Sequence, residues 1–573
     1  MAPEGDIVAW TTHSLDKVFM DAERPPRAGC EIHLRAARGE VEDAQVAVRV
    51  PPDKEIRAAS CELSDLAGPD SARIDRECVE AHWEWYTHVT HNPPENTDPA
   101  TYLRQAPAFF PDGFLEQDTI RILGRRTQPL WVSVRVPVDA RAGAYRGSVR
   151  LHLVDKAGEK IDIDVPVTLE VWPFELPREN LLRHSEWHHP TKQARHYRLE
   201  SWSEAHWGWI EKVAKDMGRH RQDMIATRFR ELVDVARRGD GSLAFDFARL
   251  DRWVKTFARE GVTWIEGGHI GGRIGDWESD FGLLRFPVKD EGGAPIDTSR
   301  EAMSAEEFDP IAERFLKACR ERLTALGCGD RYVQHIADEP VPGNQDSWIR
   351  LSEAVKRWLP GVQRIDAVMA PGLEGHLEIT VPQIQKITEP STAKAPQELW
   401  SYVCLAPQGI YPNRFLDYAS IRSRIIFWLS WSLNLKGFLH WGYDYWSAWS
   451  GCPVPVRVSP WTDAAGASVY CQDKIPLPAG DPFLVYPGEE SICSSIRWEV
   501  IRKGFEDFEY LFMLEELARD AKGGESKARA EALLDRVRKD IAPDPARHTR
   551  DAALLLGVRD EVGGMICKLL AEQ

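Results

Sequence analysis

Several signatures by which proteins are commonly classified are missing from this chain. Its ten cysteines form no Cys-x-x-Cys pair, so we expect neither a zinc site nor a disulfide scaffold, and most are predicted to be buried thiols. The sequence has no Gly-x-Ser-x-Gly elbow of the kind that carries a nucleophilic serine. The glycines between residues 267 and 275 match no dinucleotide or phosphate-loop fingerprint and instead favour a tight loop beside a ligand. No cofactor is therefore predicted.

An excess of positive charge and long apolar runs are missing as well. The 573 residues carry 72 Lys and Arg against 89 Asp and Glu, a formal net charge of -17 that argues against nucleic acid or an anionic membrane as main partner. No apolar run approaches the ~20 residues that span a bilayer. Because no basic stretch followed by an apolar one stands at the start, we expect a cytoplasmic protein, or a secreted or periplasmic one if this start is a processed form.

Tryptophan, by contrast, is abundant, with 22 residues in the chain. Flat aromatic faces suit stacking on sugar rings, although tryptophan also packs in ordinary cores. A chain of 573 residues is too long for one core and predicts two or three domains. We expect a monomer or a small homo-oligomer.

Residues 1–176 are predicted to form an antiparallel β-sandwich. Short alternating or β-branched runs recur there, separated by turn signals: Gln45–Val50, Leu130–Val136, Ser148–Leu153 and Ile161–Val171. The segment Trp172–Pro177 has two prolines in six residues and is interpreted as a stiff linker.

Beyond the linker, strands alternate with helical patterns and predict a (β/α)8 barrel over 177–495. The candidate strands are Leu182–Trp187, Asp223–Thr227, Thr263–Gly267, Tyr332–Ala337, Arg364–Val368, Ile379–Val381, Leu399–Cys404 and Gly437–Trp441. The clearest helical patterns between them are Phe247–Glu260, Phe308–Leu326 and Trp348–Trp358. Residues 496–573 are predicted to be helical, with runs at Trp498–Ala521 and Ser526–Asp540, and to pack on the barrel.

The most informative motif is Asp338-Glu339-Pro340, which follows the apolar run of the fourth barrel strand. Side chains alternate along a strand, so the two carboxylates reach one cavity only if the strand ends at Ala337 or Asp338 and the chain turns. Pro340 favours such an end because it has no N–H to donate. Neighbouring carboxylates push their pKa values apart, as acid-assisted cleavage of a glycosidic bond requires. The alternative is an ordinary loop tripeptide.

Polar and aromatic side chains also follow other predicted strands at the same end of the barrel, where barrel enzymes place their active sites. They are Trp187 and His188 at the end of strand one, Glu266 and His269 at the end of strand three, Tyr402 at the end of strand seven, and Trp441, Tyr443, Tyr445 and Trp446 at the end of strand eight. Taken singly, each could pad the rim or be solvated. Their joint placement predicts a sugar-binding pocket.

His184, Glu186, His188 and His189 lie close together and could form a metal site, because strand alternation would put 184, 186 and 188 on one face. The same spacing equally forms a hydrogen-bonding rim, and we predict no metal.

The second catalytic group is an open question at this point. Many barrel glycosidases place a nucleophilic glutamate at the end of strand seven, but Ser401–Pro407 contains no acid. Either Asp444 supplies the nucleophile, or the substrate's own 2-acetamido oxygen attacks while Glu339 protonates the leaving oxygen and Asp338 orients the acetamido N–H. Substrate assistance is a recognised exception to the paired-carboxylate rule.

The chain resembles glycoside hydrolase family 123, β-N-acetylgalactosaminidases with an N-terminal β-sandwich and a catalytic barrel. The matching segments are Gln128-Pro-Leu-Trp131, Gly143-Ala-Tyr145-Arg-Gly147, Trp172–Pro177, Ile265-Glu-Gly-Gly-His269, Ala337-Asp-Glu-Pro340, Trp400-Ser-Tyr402, His440-Trp-Gly-Tyr-Asp-Tyr-Trp446, Gly480-Asp-Pro-Phe-Leu-Val-Tyr-Pro-Gly488, Ser495-Ile-Arg-Trp498 and Gly504-Phe-Glu-Asp-Phe-Glu-Tyr510. They span nearly the whole chain.

The resemblance implies a retaining exo-β-N-acetylgalactosaminidase that works through an oxazoline intermediate on glycans with a terminal β-linked N-acetylhexosamine. It makes Asp338 the stabiliser of the oxazoline and Glu339 the acid/base. Tyr402 would bind the acetamido carbonyl, and Trp441 would form the pocket floor. Two alternatives are a retaining glycosidase for a sugar without an acetamido group, and a non-catalytic carbohydrate-binding protein.

Overall fold

The computed structural model describes residues 6–93, 95–96, 98–373, 375–446, 459–462, 464 and 477–573. The chain forms two compact units, one of Met1–Leu181, Pro407–Ser432 and Asp444–Gln573, the other of Leu182–Ala406 and Leu433–Tyr443. The boundaries predicted at 176 and 495 stay a prediction, and the expected barrel region includes residues 447–458 and 465–476, which lie outside the described residues.

The first unit begins with a two-sheet β-sandwich, as predicted. Its strands are β1 Val8–His13, β2 Ile32–Arg38, β3 Val41–Arg49, β4 Ile56–Leu63, β5 Leu66–Ala67, β6 Arg73–Ile74, β7 Val79–Val89, β8 Ala108–Phe114, β9 Ile120–Ile122, β10 Thr127–Arg135, β11 Gly143–Asp155 and β12 Lys160–Glu175. One sheet has the order β1-β3-β10-β7-β8 and the other β2-β12-β11-β4-β9. Leu130 pairs with Val46 and Trp83, and all three side chains are buried in the apolar core.

Two details of the sandwich differ from the sequence prediction. The pairing of β2 with β12 is parallel rather than antiparallel. The expected linker is wrong over Trp172–Glu175, because these residues continue β12. The ladder between β2 and β12 shifts register between Val171 and Glu175, and an irregular stretch of this kind tolerates Pro173, whose missing N–H would otherwise break a ladder bond.

The second unit contains the predicted barrel. Its strands in chain order are β13 Arg183–Glu186, β14 Met224–Thr227, β15 Asp234–Arg237, β16 Leu243–Asp246, β17 Trp264–Gly267, β18 Gly271–Arg273, β19 Phe281–Leu283, β20 Val288–Asp290, β21 Pro295–Ile296, β22 Tyr332–His335, β23 Gln363–Val368, β24 Ile379–Pro382, β25 Glu398–Leu399, β26 Ser401–Tyr402 and β27 Gly437–His440. The parallel sheet runs β25-β24-β23-β22-β17-β14-β13-β27-β26. Because only Trp400 separates β25 from β26, these two form one strand and the sheet returns to itself. All eight predicted barrel strands are confirmed.

Helices cover the barrel unevenly. The second unit has α1 Pro190–Tyr197, α2 Glu204–Arg219, α3 Phe229–Leu232, α4 Ala248–Arg259, α5 Ala305–Ala325 and α6 Gln345–Trp358. The three helices predicted from periodicity correspond to α4, α5 and α6. In the described residues between β23 and β24, and between β24 and β25, no α-helix occurs, and the second connection has only a short 3-10 turn at Ile384–Lys386. The barrel is therefore complete in strands but not in crossover helices.

The first unit also contains the remaining elements: α7 Ile421–Ser432, β28 Tyr486–Pro487, β29 Ile492–Cys493, α8 Ile496–Asp520, α9 Glu525–Arg536, a π-helical turn at Val537–Ile541 and α10 Ala552–Ala571. The C-terminal helices match the prediction in position. Within this unit α8 packs on α7 and α10, and the predicted packing on the barrel stays a prediction. No helix in the described part of the chain is long and apolar enough to span a bilayer.

Candidate active site

The Asp338-Glu339 pair lies where the fourth barrel strand, β22, has ended. The strand stops at His335, and Glu339 adopts a left-handed conformation with φ +48°, so the chain turns as the motif predicts. A glutamate in this region is sterically disfavoured and needs support from its surroundings. Asn344 accepts the Val341 N–H at 2.9 Å and thereby closes the loop that follows Pro340.

Arg273 supplies most of that support. Its Nη1 donates to the Asp338 carbonyl at 3.0 Å and its Nη2 to the Glu339 carbonyl at 2.7 Å. Its Nε donates to the Trp277 carbonyl at 2.8 Å, and the guanidinium lies 3.8 Å from the centre of the Trp277 ring. These three hydrogen bonds and the ring contact immobilise the long Arg273 side chain. Arg273 therefore holds the backbone that presents both carboxylates.

Tyr402 lies at the end of strand seven, and its hydroxyl donates a short hydrogen bond to Glu339 Oε1. Burial raises the pKa of Glu339 above its ordinary value, and the hydrogen bond from Tyr402 and the charge of Arg273 reduce this rise. Burial and Glu339 in turn raise the pKa of Tyr402, so its hydroxyl stays protonated. A glutamate of raised pKa retains its proton closer to neutrality, as a general acid must.

Asp338 has a raised pKa as well. Burial is the main cause, and the carboxylates of Glu339 and Asp366 add to it, while His335 and Arg273 oppose it. Two neighbouring carboxyl groups cannot both ionise easily. Near neutral pH the pair therefore favours holding a proton.

A buried ion cluster lies beneath the pair. His335 Nδ1 is 3.0 Å from Asp366 Oδ1, and His335 Nε2 is 3.6 Å from Glu266 Oε1. All three side chains are at most 1% exposed. Burial alone would keep His335 neutral, but Asp366, Glu266 and Asp338 together raise its pKa to about 9. The imidazolium thus balances carboxylates in the barrel interior.

Trp187 and His269 pack around this cluster. Trp187 Nε1 donates to Glu266 at 3.1 Å, and Ser185 donates to the other oxygen of the same carboxylate. The ring of His269 meets that of His335 edge to face at 4.2 Å. Burial and the charge of His335 lower the pKa of His269 well below its usual range, so this ring is neutral. The structure thereby brings Glu266, His269 and Trp187 together, and their predicted role in binding sugar stays a prediction.

Three other predicted site residues have different contacts in the second unit. His188 is buried and stacks on Trp253, with ring centres 5.9 Å apart. Tyr443 is buried and donates to Asp216 Oδ2 at 2.6 Å. The backbone carbonyl of Trp441 bonds His189 Nε2 at 2.8 Å. Their predicted roles toward substrate stay predictions.

Asp444, Tyr445 and Trp446 belong to the first unit, and all three are buried there. Asp444 forms a β-bridge with Phe483, and the Tyr445 N–H donates to the Pro482 carbonyl at 3.1 Å. Trp446 Nε1 donates to the Val485 carbonyl at 2.8 Å. Whether they contact substrate stays a prediction.

A metal could be offered ligands by His269, His335 and Asp366, each of which brings one ligand atom within 4.8 Å of the others. A histidine binds a metal through an unprotonated ring nitrogen. Since the pKa of His335 is about 9, its ring already supplies a positive charge at neutral pH. Of the group named from sequence, His184 Nε2 lies 3.5 Å from Glu186 Oε1, whereas His188 stacks on Trp253 and His189 bonds the Trp441 carbonyl.

Arg273, His335 and Asp366 were missed from the sequence. His335 belongs to the fourth predicted strand and lies two residues after Val333. Side chains alternate along a strand, so both face the barrel interior. Arg273 lies within the glycine-containing stretch 267–275, which predicted a tight loop but not its direction. Asp366 stands between apolar residues of the fifth predicted strand, and a charged residue in that position was the only signal in the sequence.

Two carboxyl groups at the end of a parallel barrel strand, preceded in the chain by a β-sandwich, are typical of glycosidases. Comparison with known families agrees: the glycoside hydrolase 123 catalytic domain matches residues 187–514, and the glycoside hydrolase 123 N-terminal domain matches residues 7–153. The chain therefore belongs to glycoside hydrolase family 123 and is a hydrolase that acts on glycans.

One solved structure agrees on the fold. A family 123 glycoside hydrolase from Clostridium perfringens has a TM-score of 0.70 at 14% identity, with 99% of each chain covered. A family 5 glycoside hydrolase from Bacteroides vulgatus has a TM-score of 0.29 at 11% identity, covering 58% of this chain and 68% of its own. The second value is too low to bear on the fold. A comparison with curated proteins gave no match.

Proposed function

We propose that this hydrolase is a retaining exo-β-N-acetylgalactosaminidase that uses the substrate's acetamido group as nucleophile. The observation that carries the proposal is the asymmetry of the barrel rim. Strand four presents two adjacent carboxyl groups, Asp338 and Glu339, whereas strand seven presents the Tyr402 hydroxyl, which donates to Glu339. Substrate assistance needs an acid and an orienting carboxylate on one side of the sugar and no protein nucleophile.

In the first step the acetamido oxygen attacks the anomeric carbon and forms an oxazolinium ring. The bond to the leaving oxygen breaks, and that oxygen takes the proton of Glu339. In the second step water attacks the anomeric carbon, the ring bond to the acetamido oxygen breaks, and the Glu339 carboxylate takes the water proton. Two inversions give net retention. An intramolecular nucleophile of this kind can supply an effective molarity of ~10⁵–10⁸ M.

Asp338 accepts the acetamido N–H and stabilises the positive charge that develops on the ring. This role requires its ionised form, whereas its pKa in the free protein is raised by burial and by Glu339. The substrate's N–H hydrogen bond favours the ionised form of Asp338. The proton that the pair holds then belongs to Glu339, where the first step needs it.

The substrate class has support from the Clostridium perfringens enzyme, which was studied for glycolipid glycan hydrolysis. A glycan with a terminal β-linked N-acetylhexosamine is the substrate we expect here. The alternatives, a protein nucleophile such as Asp444 or a protein that only binds glycans, are outcomes of the following test.

The test compares aryl β-glycosides that differ only at C2 and C4. We expect turnover of the N-acetylgalactosaminide, little turnover of the N-acetylglucosaminide, and none of the plain galactoside. Replacing N-acetyl by N-trifluoroacetyl should slow turnover sharply, because fluorine withdraws electron density from the attacking oxygen. Turnover of the plain galactoside, or a covalent sugar adduct on any carboxylate, would contradict substrate assistance. Sugar binding without any turnover would support a binding protein.

Asp338→Asn provides the matched variant for the same substrates. We expect it to impair activated and poor leaving groups alike, since it weakens acetamido orientation rather than protonation. A thiazoline analogue of the oxazoline should inhibit the wild type far better than N-acetylgalactosamine does and should lose that advantage in Asp338→Asn. Wild-type turnover in this variant would remove Asp338 from the mechanism.

A further inference from the structure

A cavity of about 60 Å³ opens beside the buried cluster in the second unit. Trp187, Glu266, His269 and His335 are among its lining residues, and most of the others are apolar, such as Phe229, Leu284, Phe286 and Phe315. A water molecule needs roughly 10–15 Å³ of such space, so the cavity has room for a substituent of a few heavy atoms but not for a sugar ring. It adjoins residues predicted from sequence to bind the sugar.

Two arginines, Arg228 and Arg230, also line this cavity. Arg228 Nη2 lies 3.1 Å from His189 Nδ1, and its Nη1 lies 4.0 Å from Glu231 Oε1. The side chain of Arg230 has no hydrogen bond or ion pair with any residue that the structure describes. Burial lowers the pKa of Arg230. The charge of Arg228 lowers this pKa further, and the charge of Glu231 raises it.

An unmatched guanidinium in a half-buried wall is unfavourable unless something pairs with it. N-acetylgalactosamine is neutral and offers no opposite charge. Of the carboxylates nearby, Glu266 accepts from Ser185 and Trp187 and faces His335. Glu231 lies 4.0 Å from Arg228 and forms no ion pair with Arg230. The Arg230 guanidinium therefore has no direct partner in the described part of the chain, and the planar fork of arginine suits an oxyanion with two or more oxygens.

We propose that this cavity is a subsite for an oxyanion substituent on the terminal sugar, a sulfate ester or a carboxylate, and that Arg230 is the residue that selects for it. The proposal rests on the proposed function, because it places an N-acetylgalactosamine ring next to Glu266 and His269. It extends that function to a substrate class, anionic N-acetylgalactosamine residues, in which the charge enters the cavity and pairs with Arg230.

Titration calorimetry with monosaccharides tests the subsite without turnover. The ligands are N-acetylgalactosamine, its 3-, 4- and 6-sulfates, and 2-acetamido-2-deoxygalacturonic acid, so that position and type of anion are distinguished. We expect one anionic sugar to bind the wild type about tenfold more tightly than the neutral sugar, a preference that falls with added salt. Arg230→Gln should lose this preference. Arg237→Gln removes an exposed arginine outside the cavity and should keep it.

Arg230→Lys is a second variant in case Arg230→Gln does not fold. Thermal unfolding of each variant is compared with that of the wild type. Lysine retains the charge but not the fork, so we expect a reduced preference that is still salt-dependent. The proposal is overturned if no anionic sugar binds more tightly than the neutral one, or if Arg230→Gln and Arg230→Lys both prefer anions as the wild type does. Failure of the proposed function gives a separate result, namely no turnover of any aryl N-acetylhexosaminide.

Discussion

For Glu40 in the first unit and Asp338 in the second, burial disfavours the charged form, but the two carboxylates have opposite neighbours. In the first unit Glu40 is fully buried and accepts hydrogen bonds from Lys503, Arg559 and Tyr510. Although burial disfavours its charge, Arg559 and Lys503 hold the pKa of Glu40 below the ordinary value. In the second unit Asp338 has carboxylates as neighbours, and its pKa is raised. Burial alone therefore does not decide the charge state.

The charge state of these carboxylates depends on how many cations lie near each of them. Within the first unit, Glu42 shares Lys503 and Arg559 with Glu40, and burial raises its pKa. In the barrel, the carboxylates Glu266, Asp338, Glu339 and Asp366 have His335 and Arg273 as the cations that reach them. At Glu40 the nearby cations outweigh the effect of burial, whereas at the Asp338-Glu339 pair the carboxylates outnumber the cations, and the pair can hold a transferable proton.

The largest effect is expected from Glu339→Gln. General acid assistance contributes ~10²–10⁴-fold, so kcat/KM on glycosides with poor leaving groups should fall by that range. Activated aryl glycosides, whose leaving groups depart without a proton, should lose much less. Steady-state kinetics on the two substrates measures the difference. Equal losses on both substrates would show that Glu339 is not the general acid. The Asp338-Glu339 pair would then have a structural role, as Glu40 has in the first unit.

Lys503→Met tests the opposite side of the comparison. Lys503 is buried and pairs with Glu40, Glu42 and Glu506, so its removal leaves three carboxylates without their shared cation. Breaking a buried pair costs about 3–5 kcal/mol in the free energy of unfolding. Denaturant unfolding measures this loss, with Lys522→Met, which replaces an exposed lysine, as the control.

The pH dependence of that difference has a defined sign. Because the folded-state pKa of Glu40 is lowered, its contribution is present above the unfolded pKa and disappears as pH falls through the folded one. The two proteins should therefore approach each other in stability at strongly acidic pH. A variant as stable as Lys522→Met at neutral pH would show that the cluster contributes little.

Arg273→Gln should reduce kcat on the aryl N-acetylgalactosaminide by about 10²-fold, because a misplacement of ~1 Å at a reacting group can have that effect. Glutamine cannot donate to both carbonyls of the turn at Asp338 and Glu339. Arg273→Lys retains the charge but not the double contact, so a similar loss there would assign the effect to geometry. Full recovery with lysine would assign it to charge.

The smallest expected effect is a shift of the kcat/KM pH profile in Tyr402→Phe. The Tyr402 hydroxyl bonds the Glu339 carboxylate and lowers its pKa, so Tyr402→Phe should raise that pKa. A hydrogen bond to a charged group is worth 1.5–3 kcal/mol, so the basic limb of the kcat/KM profile should move upward by about one pH unit. Tyr332→Phe, which removes a hydroxyl bonded to Gln334, serves as control. A limb that stays in place or moves downward would contradict the assignment.

Much of the fold was determined by the sequence alone, because its information is local. Alternation and β-branched runs predicted all eight barrel strands, and the helices at α4, α5 and α6 followed from their 3.6-residue periodicity. The turn after β22 also followed from local chemistry, since Pro340 cannot continue a strand and two adjacent carboxylates need a turn to face one cavity.

Only the tertiary structure decided which distant residues meet. The parallel pairing of β2 with β12 and the continuation of β12 through Pro173 depend on a partner strand more than 120 residues away in sequence. Likewise, Arg273 reaches the Asp338 and Glu339 carbonyls from another loop, and His335 joins Glu266 to Asp366 across three strands. Sequence patterns record which face a residue occupies, but the charge balance of a buried site depends on side chains brought together from separate strands, and it is this balance that sets the protonation of the Asp338-Glu339 pair.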